Sequence, residues 1–325
     1  MPTIKKLMSE ASRRAFVALS PLSSHPMHRD VLSEFTHLRD VAMQVAELIA
    51  DVRVHMDTPK SADATLELEA RFGNITDTQF HPNVGKETFC GILQLLESFP
   101  RWSRVTPWQE TQDVFYTAEL PNEYGGEPGK TYLIRTSVGV DASNQDIQIV
   151  HNYKQRLRNV DMELCHMDGE SCCMNVTRDR VSDGFDVRVS ASLEQKLPHH
   201  ILPIAVSPEM VRIKQRKRFF LHSLGVEGDT FSFDVSLVYT GKTKSEAEQK
   251  QSQQVAPSFE IEVECLKPNE YLRTTGGEDI MLALSLILKC YDFSAAMHTS
   301  TNVTYKPTFR RQAGRDSKHK FPILK

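Results

Sequence analysis

The sequence contains no long apolar run, which excludes several classes of protein. No stretch approaches the roughly 20 apolar residues that a bilayer-spanning helix needs, and the N-terminus lacks the apolar core of a secretory signal. The six cysteines include no Cys-x-x-Cys pair, and the adjacent Cys172 and Cys173 suit a disulfide framework poorly. The sequence therefore predicts a globular protein that stays inside the cell, with reduced thiols and no membrane partner.

The charge of the chain is small overall but unevenly distributed. The 325 residues, 40% hydrophobic and 25% charged, can bury an ordinary core as one large or two modest domains. Residues 301–325 carry +6 and the first 14 residues +3, which leaves −12 on residues 15–300 out of a total of −3. We therefore predict a flexible arm over 1–27, a folded domain over 28–300 and a basic tail over 301–325. Basic ends suit a polyanion partner, although solvated tails are more often basic without a specific purpose.

Three segments carry charged side chains on alternate residues. Successive side chains of a β-strand point to opposite faces, so each segment would place its charges on one face and mostly apolar residues on the other. If the charged faces look inward on a closed barrel, the chain encloses a metal and a polyanion. The alternating residues are Glu67 and Glu69 in the first segment, Glu260, Glu262 and Glu264 in the second, and Arg212, Lys214, Arg216 and Arg218 in the third.

The middle of the chain is dominated by short strand-like segments. Between about residues 112 and 265, alternating segments are separated by turn residues. Together with the segment at 66–72 they give about eight strands, a number that suits a closed antiparallel barrel. The polar, low-complexity insert at 241–257 predicts a mobile loop between two of these strands.

Helices are predicted on either side of the charged strands. Residues 30–54 and 86–98 have apolar side chains at helical spacing, and Pro100 follows the second run. An apolar segment at 280–291 predicts a last helix that packs on the sheet. No internal repeat is present.

A single strand with alternating charge is usually the solvated face of an antiparallel sheet. Here, however, five carboxylates on two strands would repel one another unless cations lay between them. Hard oxygen ligands in that number favour Mg²⁺ or Mn²⁺. Arginine and lysine are natural ligands of phosphate oxygens. The combination indicates metal-assisted hydrolysis of a phosphoanhydride. Further cations in strand-like segments are Arg135, Lys154 and Arg188.

Five motifs follow one another along the chain: Leu66–Gly73, Asp186–Ser190, the R-x-K-x-R of Arg212, Lys214 and Arg216, Phe233–Ser236, and the E-x-E-x-E of Glu260, Glu262 and Glu264. Their order resembles that of the triphosphate tunnel metalloenzymes. The chain is most similar to the metal-dependent RNA 5′-triphosphatases of fungal, protozoan and viral mRNA capping systems, over about residues 60 to 300. The tryptophan-rich segment with which fungal members bind guanylyltransferase is absent.

The resemblance implies a mainly β, α+β fold: an eight-stranded antiparallel closed barrel, the triphosphate tunnel, with packing helices, in a catalytic domain over 28–300. The implied function is removal of the γ-phosphate from triphosphate-ended nascent RNA in the first step of cap formation, with Mg²⁺ or Mn²⁺ as cofactor. The implied partners are the RNA 5′ end and a capping guanylyltransferase. The implied location is the nucleus, or the cytoplasm for viral or cytoplasmic capping. The oligomeric state is left open.

The resemblance also implies roles for individual residues. Glu67, Glu69 and Glu264 would bind the metal. Arg135, Lys214 and Arg216 would hold the γ-phosphate and stabilise the transition state, and Glu194 would orient the attacking water. For each residue the alternative is a purely structural ion pair of the tunnel wall. The remaining wall and substrate-binding residues would be Lys154, Arg188, Arg212, Asp234, Ser236, Glu260 and Glu262.

Two other functions fit the same patterns. The first is hydrolysis of inorganic tripolyphosphate or thiamine triphosphate, although such tunnel enzymes usually have their E-x-E-x-K strand near the N-terminus, whereas about 65 residues precede it here. The second is a non-catalytic barrel that binds polyanions through its basic strands. The second alternative predicts binding without a divalent cation and without phosphate release.

Overall fold

A computed structural model describes residues 31–56, 64–76, 79–140, 147–162, 186–198, 207–222, 228–268 and 279–298. The predicted N-terminal arm (1–27) and basic tail (301–325) lie outside the described residues. The strands are β1 (Ala64–Ile75), β2 (Phe80–His81), β3 (Arg104–Val105), β4 (Gln109–Glu119), β5 (Thr131–Val140), β6 (Ile147–Met162), β7 (Asp186–Leu197), β8 (Met210–His222), β9 (Asp229–Gly241) and β10 (Ser258–Cys265). The helices are α1 (Val31–Met56), α2 (Lys86–Ser98), α3 (Lys244–Ser252) and α4 (Asp279–His298).

Eight of the strands close into an antiparallel barrel. Neighbouring strands follow the order β1, β7, β6, β5, β4, β8, β9, β10, and β10 pairs again with β1. Glu69 of β1 thus lies opposite Ser190 of β7 on one side and Glu264 of β10 on the other. The two short strands add to the rim, β2 beside β1 and β3 beside β8. The predicted closed, mainly β architecture is confirmed.

The main apolar core lies outside the barrel, between its outer face and three helices. On β1, Leu68, Ala70 and Phe72 are fully buried and point outward, so the residues between them point inward. Ile49 of α1 and Leu286 of α4 are buried in the same cluster, to which α2 also contributes. None of the described helices has the length and apolarity needed to span a membrane.

A β-bulge in β6 changes which residues face inward. Lys154 and Arg156 lie opposite Glu194 and Ser192 of β7, but the next pair is Arg158 with Ala191, so Leu157 is an extra residue. Before the bulge the inward residues of β6 have even numbers, and after it they have odd numbers. Asp161 is therefore placed on the inner face, opposite Arg188.

The prediction of a mobile loop at 241–257 is wrong, because most of this insert forms helix α3. Two side chains cap its first turn: the Thr243 hydroxyl accepts from the backbone N–H of Glu246 at 3.2 Å, and the Glu246 carboxylate accepts from the backbone N–H of Lys242 at 2.9 Å. Ala247 is buried in a small cluster with Val211 and Ile213 of β8. The helix packs on the outer face of the barrel through that one apolar residue. In an otherwise polar segment, a single alanine did not indicate a helix.

Candidate active site

The inward faces of the eight barrel strands enclose a channel, called the tunnel below. Every predicted site residue lies on one of these strands. Eight basic residues of the tunnel, the tunnel cations, each lie within 4.0 Å of a carboxylate. The tunnel cations are Arg71, Arg135, Lys154, Arg188, Arg212, Lys214, Arg216 and Arg218.

The predicted metal ligands Glu67, Glu69 and Glu264 stand on neighbouring strands. The ammonium of Lys154 lies between the first two, 2.5 Å from Glu67 and 3.0 Å from Glu69. The Ser192 hydroxyl also donates to Glu67, at 3.1 Å. The Lys154 side chain thus supplies positive charge to both carboxylates.

The protonation of these carboxylates follows from their neighbours. Burial and the nearby Glu69 raise the pKa of Glu67. Burial opposes ionisation of Glu69, but Arg71 and Lys154 hold its pKa below the usual value. Burial raises the pKa of Glu264 to about 7, even though Arg218 lies 3.0 Å away. Burial thus disfavours the ionised form of two of the three carboxylates, in spite of the neighbouring cations.

In the part of the chain that the structure describes, no three His, Cys, Asp or Glu side chains stand together at metal-ligand spacing. The donor set nevertheless fits Mg²⁺ or Mn²⁺ in its chemistry, because it consists of hard carboxylate oxygens. The Lys154 ammonium, held between two of these carboxylates, marks the position where a cation is stabilised. The assignment of Glu67, Glu69 and Glu264 to a metal stays a prediction.

The predicted phosphate ligands carry hydrogen-bond donors that the described residues leave unused. The Nε–H groups of Arg135 and Arg216 and the Ser236 hydroxyl are buried without a partner among these residues. Lys214 is 5% exposed, and its nearest carboxylate, Glu262, is 3.9 Å away. Burial, together with the adjacent Arg216, lowers the pKa of Lys214 to about 8. Buried donors and weakly countered cations are the features of an anion site.

Arg135 and Glu194, predicted to bind phosphate and to orient water, form an ion pair across the tunnel wall. Arg135 lies on β5 and Glu194 on β7, with β6 between them. Their contact places the predicted water-orienting carboxylate directly beside a predicted γ-phosphate ligand.

The other predicted wall residues also form ion pairs. Arg212 contacts both oxygens of Glu260, at 2.6 and 2.7 Å. Asp234 is 2% exposed and lies 3.2 Å from Arg216. Burial opposes the charge of Glu262, yet Lys214 and Arg71 hold its pKa well below the usual value. The structure thus brings these residues into one connected charge network.

Sequence reasoning assigned no role in the site to four charged residues of the tunnel. Arg71 bridges Glu69 and Glu262, at 3.0 and 3.2 Å. Arg218 bridges Asp234 and Glu264, each at 3.0 Å. Both arginines continue an alternating pattern, so the same signal could have found them. The other two are Asp113, which accepts from the Ser137 hydroxyl at 2.6 Å, and Asp161, which binds Arg188 at 2.7 and 2.8 Å.

Solved structures with a similar chain trace include two RNA triphosphatases. The S. pombe Pct1 RNA triphosphatase has a TM-score of 0.48 at 13% identity, covering 79% of this chain and 92% of that chain. Its complex with the Spt5 CTD has a TM-score of 0.47 at 14% identity, covering 78% and 93%. The Mimivirus capping enzyme triphosphatase has a TM-score of 0.43 at 13% identity, covering 78% and 97%.

These neighbours are of the class that the motif order predicted. No protein-family model matches the chain, and no curated protein sequence matches it. Similarity at this level says nothing about function, which has to be judged from the side chains of the tunnel.

Proposed function

We propose that this protein is a divalent-metal-dependent RNA 5′-triphosphatase that removes the γ-phosphate of nascent RNA before capping. The observation that carries the proposal is the division of one closed tunnel into two parts. Buried carboxylates with raised pKa values lie on β1 and β10, and cations with unused donors lie on β5 and β8. A metal and a polyphosphate would together satisfy both parts.

Glu67, Glu69 and Glu264 would hold the Mg²⁺ or Mn²⁺ ion, with the first two released from Lys154. When bound, the ion would supply Lewis-acid polarisation of a phosphoryl oxygen. Arg135, Lys214 and Arg216 would neutralise charge on the γ-phosphate in a site that excludes most water.

Glu194 would hold the attacking water by accepting a hydrogen bond from it. A bond forms between the water oxygen and the γ-phosphorus, and the bond to the β-phosphate oxygen breaks. The products are diphosphate-ended RNA and inorganic phosphate. The choice of RNA as substrate follows the motif order, as do a nuclear location and a capping guanylyltransferase as partner.

The test is γ-phosphate release from triphosphate-ended RNA with Mg²⁺ or Mn²⁺. In Glu67→Ala, kcat should fall at least about 100-fold, because loss of a residue that only supports a metal ligand already costs about 10- to 100-fold. Glu110→Ala is the matched control, because this strand glutamate contacts Gln215 and Gln251 and is exposed on the outer face. Far-ultraviolet circular dichroism checks the fold of both variants. Equal activity of wild type and Glu67→Ala would contradict the proposal.

A further inference from the structure

Arg156 is a basic residue of the inner wall that the proposed reaction leaves unused. It lies opposite Ser192, the residue whose hydroxyl donates to Glu67 inside the tunnel. Its side chain is exposed and makes no ion pair or hydrogen bond with any described residue. All eight tunnel cations, by contrast, have a carboxylate within 4.0 Å. A guanidinium without a counter-ion on such a wall is available to an anionic ligand.

Arg156 stands where the barrel wall opens on one side. The pairing of β5 with β6 ends at Ile134 and Tyr153, and within the described chain residues 154–162 of β6 pair with β7 alone. This part of β6 therefore forms the lip of one tunnel mouth. A nucleotide chain is wider than its triphosphate, so a one-sided opening suits the passage of an RNA end.

An exposed apolar side chain lies beside this lip. Leu133 shares the inner face of β5 with Arg135, and it lies one residue beyond the last β5–β6 pair, Ile134 with Tyr153. It is 52% exposed, an unusual state for a leucine on the inner wall of a charged tunnel. An apolar side chain and a free guanidinium on the adjacent strands β5 and β6 of one mouth match a nucleoside joined to a phosphate.

The distance from the candidate metal ligands is also suitable. Arg156, Ser192 and Glu67 are partners on three neighbouring strands, so the first and last Cα atoms are separated by about 10 Å, two strand spacings. The long arginine side chain can therefore reach the phosphate next to the nucleoside while the terminal phosphate lies near Glu67.

The opposite mouth offers a comparison. Lys196 is four residues from Ser192 along β7, roughly 13 Å away, and it is exposed opposite Asn152. Its neighbours on the same face, Asn152 and Glu194, are polar. That mouth has the charge for a phosphate but no apolar surface for a nucleoside among these neighbours.

We propose that the RNA leaves the tunnel past Arg156 and Leu133, with Arg156 binding a phosphate of the first nucleotide and Leu133 contacting its nucleoside. This inference rests on the proposed function, and it adds the direction in which the RNA lies, a residue that binds its first phosphate, and a residue, Leu133, that distinguishes RNA from inorganic polyphosphate.

The test is the KM for triphosphate-ended RNA in Arg156→Gln, compared with wild type. The KM should rise about tenfold, the effect of losing one charge-assisted contact. The slope of log KM against log salt should decrease by about 0.7, as expected for one phosphate contact on single-stranded nucleic acid. Because tripolyphosphate has no nucleoside, Leu133→Ala should raise the KM for RNA and leave the affinity for tripolyphosphate unchanged, and equal effects on the two ligands would contradict the role of Leu133.

Arg158→Gln is the matched control, because the bulge turns Arg158 outward, where it pairs with Asp51 at 3.0 Å. Lys196→Gln tests the opposite mouth. The inference would be overturned if the KM for RNA rose tenfold in Lys196→Gln and not in Arg156→Gln. It would also be overturned if Arg156→Gln and Arg158→Gln had equal KM values.

If wild type releases no phosphate from RNA, the proposed function fails. Filter binding of RNA to the same variants then still tests Arg156.

Discussion

Lys214 is the tunnel cation with the most distant counter-charge. Its ammonium lies 3.9 Å from Glu262, whereas Arg212, two residues earlier, contacts Glu260 at 2.6 Å. Burial and the adjacent Arg216 together lower its pKa to about 8. The folded protein therefore releases this proton at a lower pH than the unfolded chain does, because burial disfavours the charged ammonium. Such a residue gains most from an incoming anion, which would restore its positive charge.

Anion binding should therefore weaken as the pH rises through the Lys214 pKa of about 8. Between pH 7 and pH 9 the affinity of metal-free protein for inorganic tripolyphosphate should fall about tenfold through loss of this proton. Titration calorimetry across this range measures it. Lys214→Arg is the control. Its guanidinium stays charged up to pH 9, so the affinity of this variant should not show the fall that is caused by loss of the Lys214 proton. If the affinity falls equally with pH in wild type and in Lys214→Arg, Lys214 is not the group whose proton controls anion binding.

At the scale of elements, the short strand β2 supports one end of the tunnel. It approaches β1 so closely that a Cβ on Gly73 would lie 2.1 Å from the His81 carbonyl oxygen and 2.9 Å from Phe80 Cζ. The Phe80 ring in turn packs on the Arg188 guanidinium, 4.8 Å from the ring centroid. Glycine at position 73 is therefore required by space, and it lets a two-residue strand hold a tunnel cation in place.

Gly73→Ala should destabilise the protein by about 2 kcal/mol, because either β2 moves away or the added Cβ overlaps the His81 carbonyl oxygen. Gly91→Ala is the opposite case: this glycine lies in helix α2, and an added Cβ would meet nothing within 4 Å. It should raise the free energy of unfolding by up to about 1 kcal/mol, since alanine favours the helix. Urea unfolding measures both. A Gly73→Ala protein as stable as wild type would show that β2 tolerates displacement at no cost.

At the scale of the whole molecule, closure of the barrel concentrates charge in its interior. The strands β1 and β10 are far apart in the chain, yet Glu69 and Glu264 become direct neighbours when they pair. Like charges directly opposite one another are unfavourable, and Arg71, Lys154 and Arg218 offset part of this repulsion. A ligand that occupies the tunnel should therefore stabilise the whole barrel.

Inorganic tripolyphosphate with Mn²⁺ should raise the melting temperature. At 100 times its Kd, a ligand that binds only the folded state adds about 2.7 kcal/mol, which corresponds to a shift on the order of 5 °C for a chain of this size. Differential scanning fluorimetry measures the shift. Sodium chloride at the same ionic strength is the control, since it screens charge without occupying the tunnel. An equal shift in both salts would contradict specific binding.

The sequence by itself determined the eight long strands and most of the inward residues, because the two faces of a strand alternate with a period of two and one face had to be apolar. The tertiary structure alone decided which charges meet. Arg188 binds Asp161 because a one-residue bulge reverses the alternation in β6, and periodicity carries no sign of it. Lys154 reaches Glu67 and Glu69, and Arg135 reaches Glu194, because barrel closure and strand tilt bring non-neighbouring residues together. The alternating carboxylates thus marked the tunnel, and the fold assigned each of them its partner.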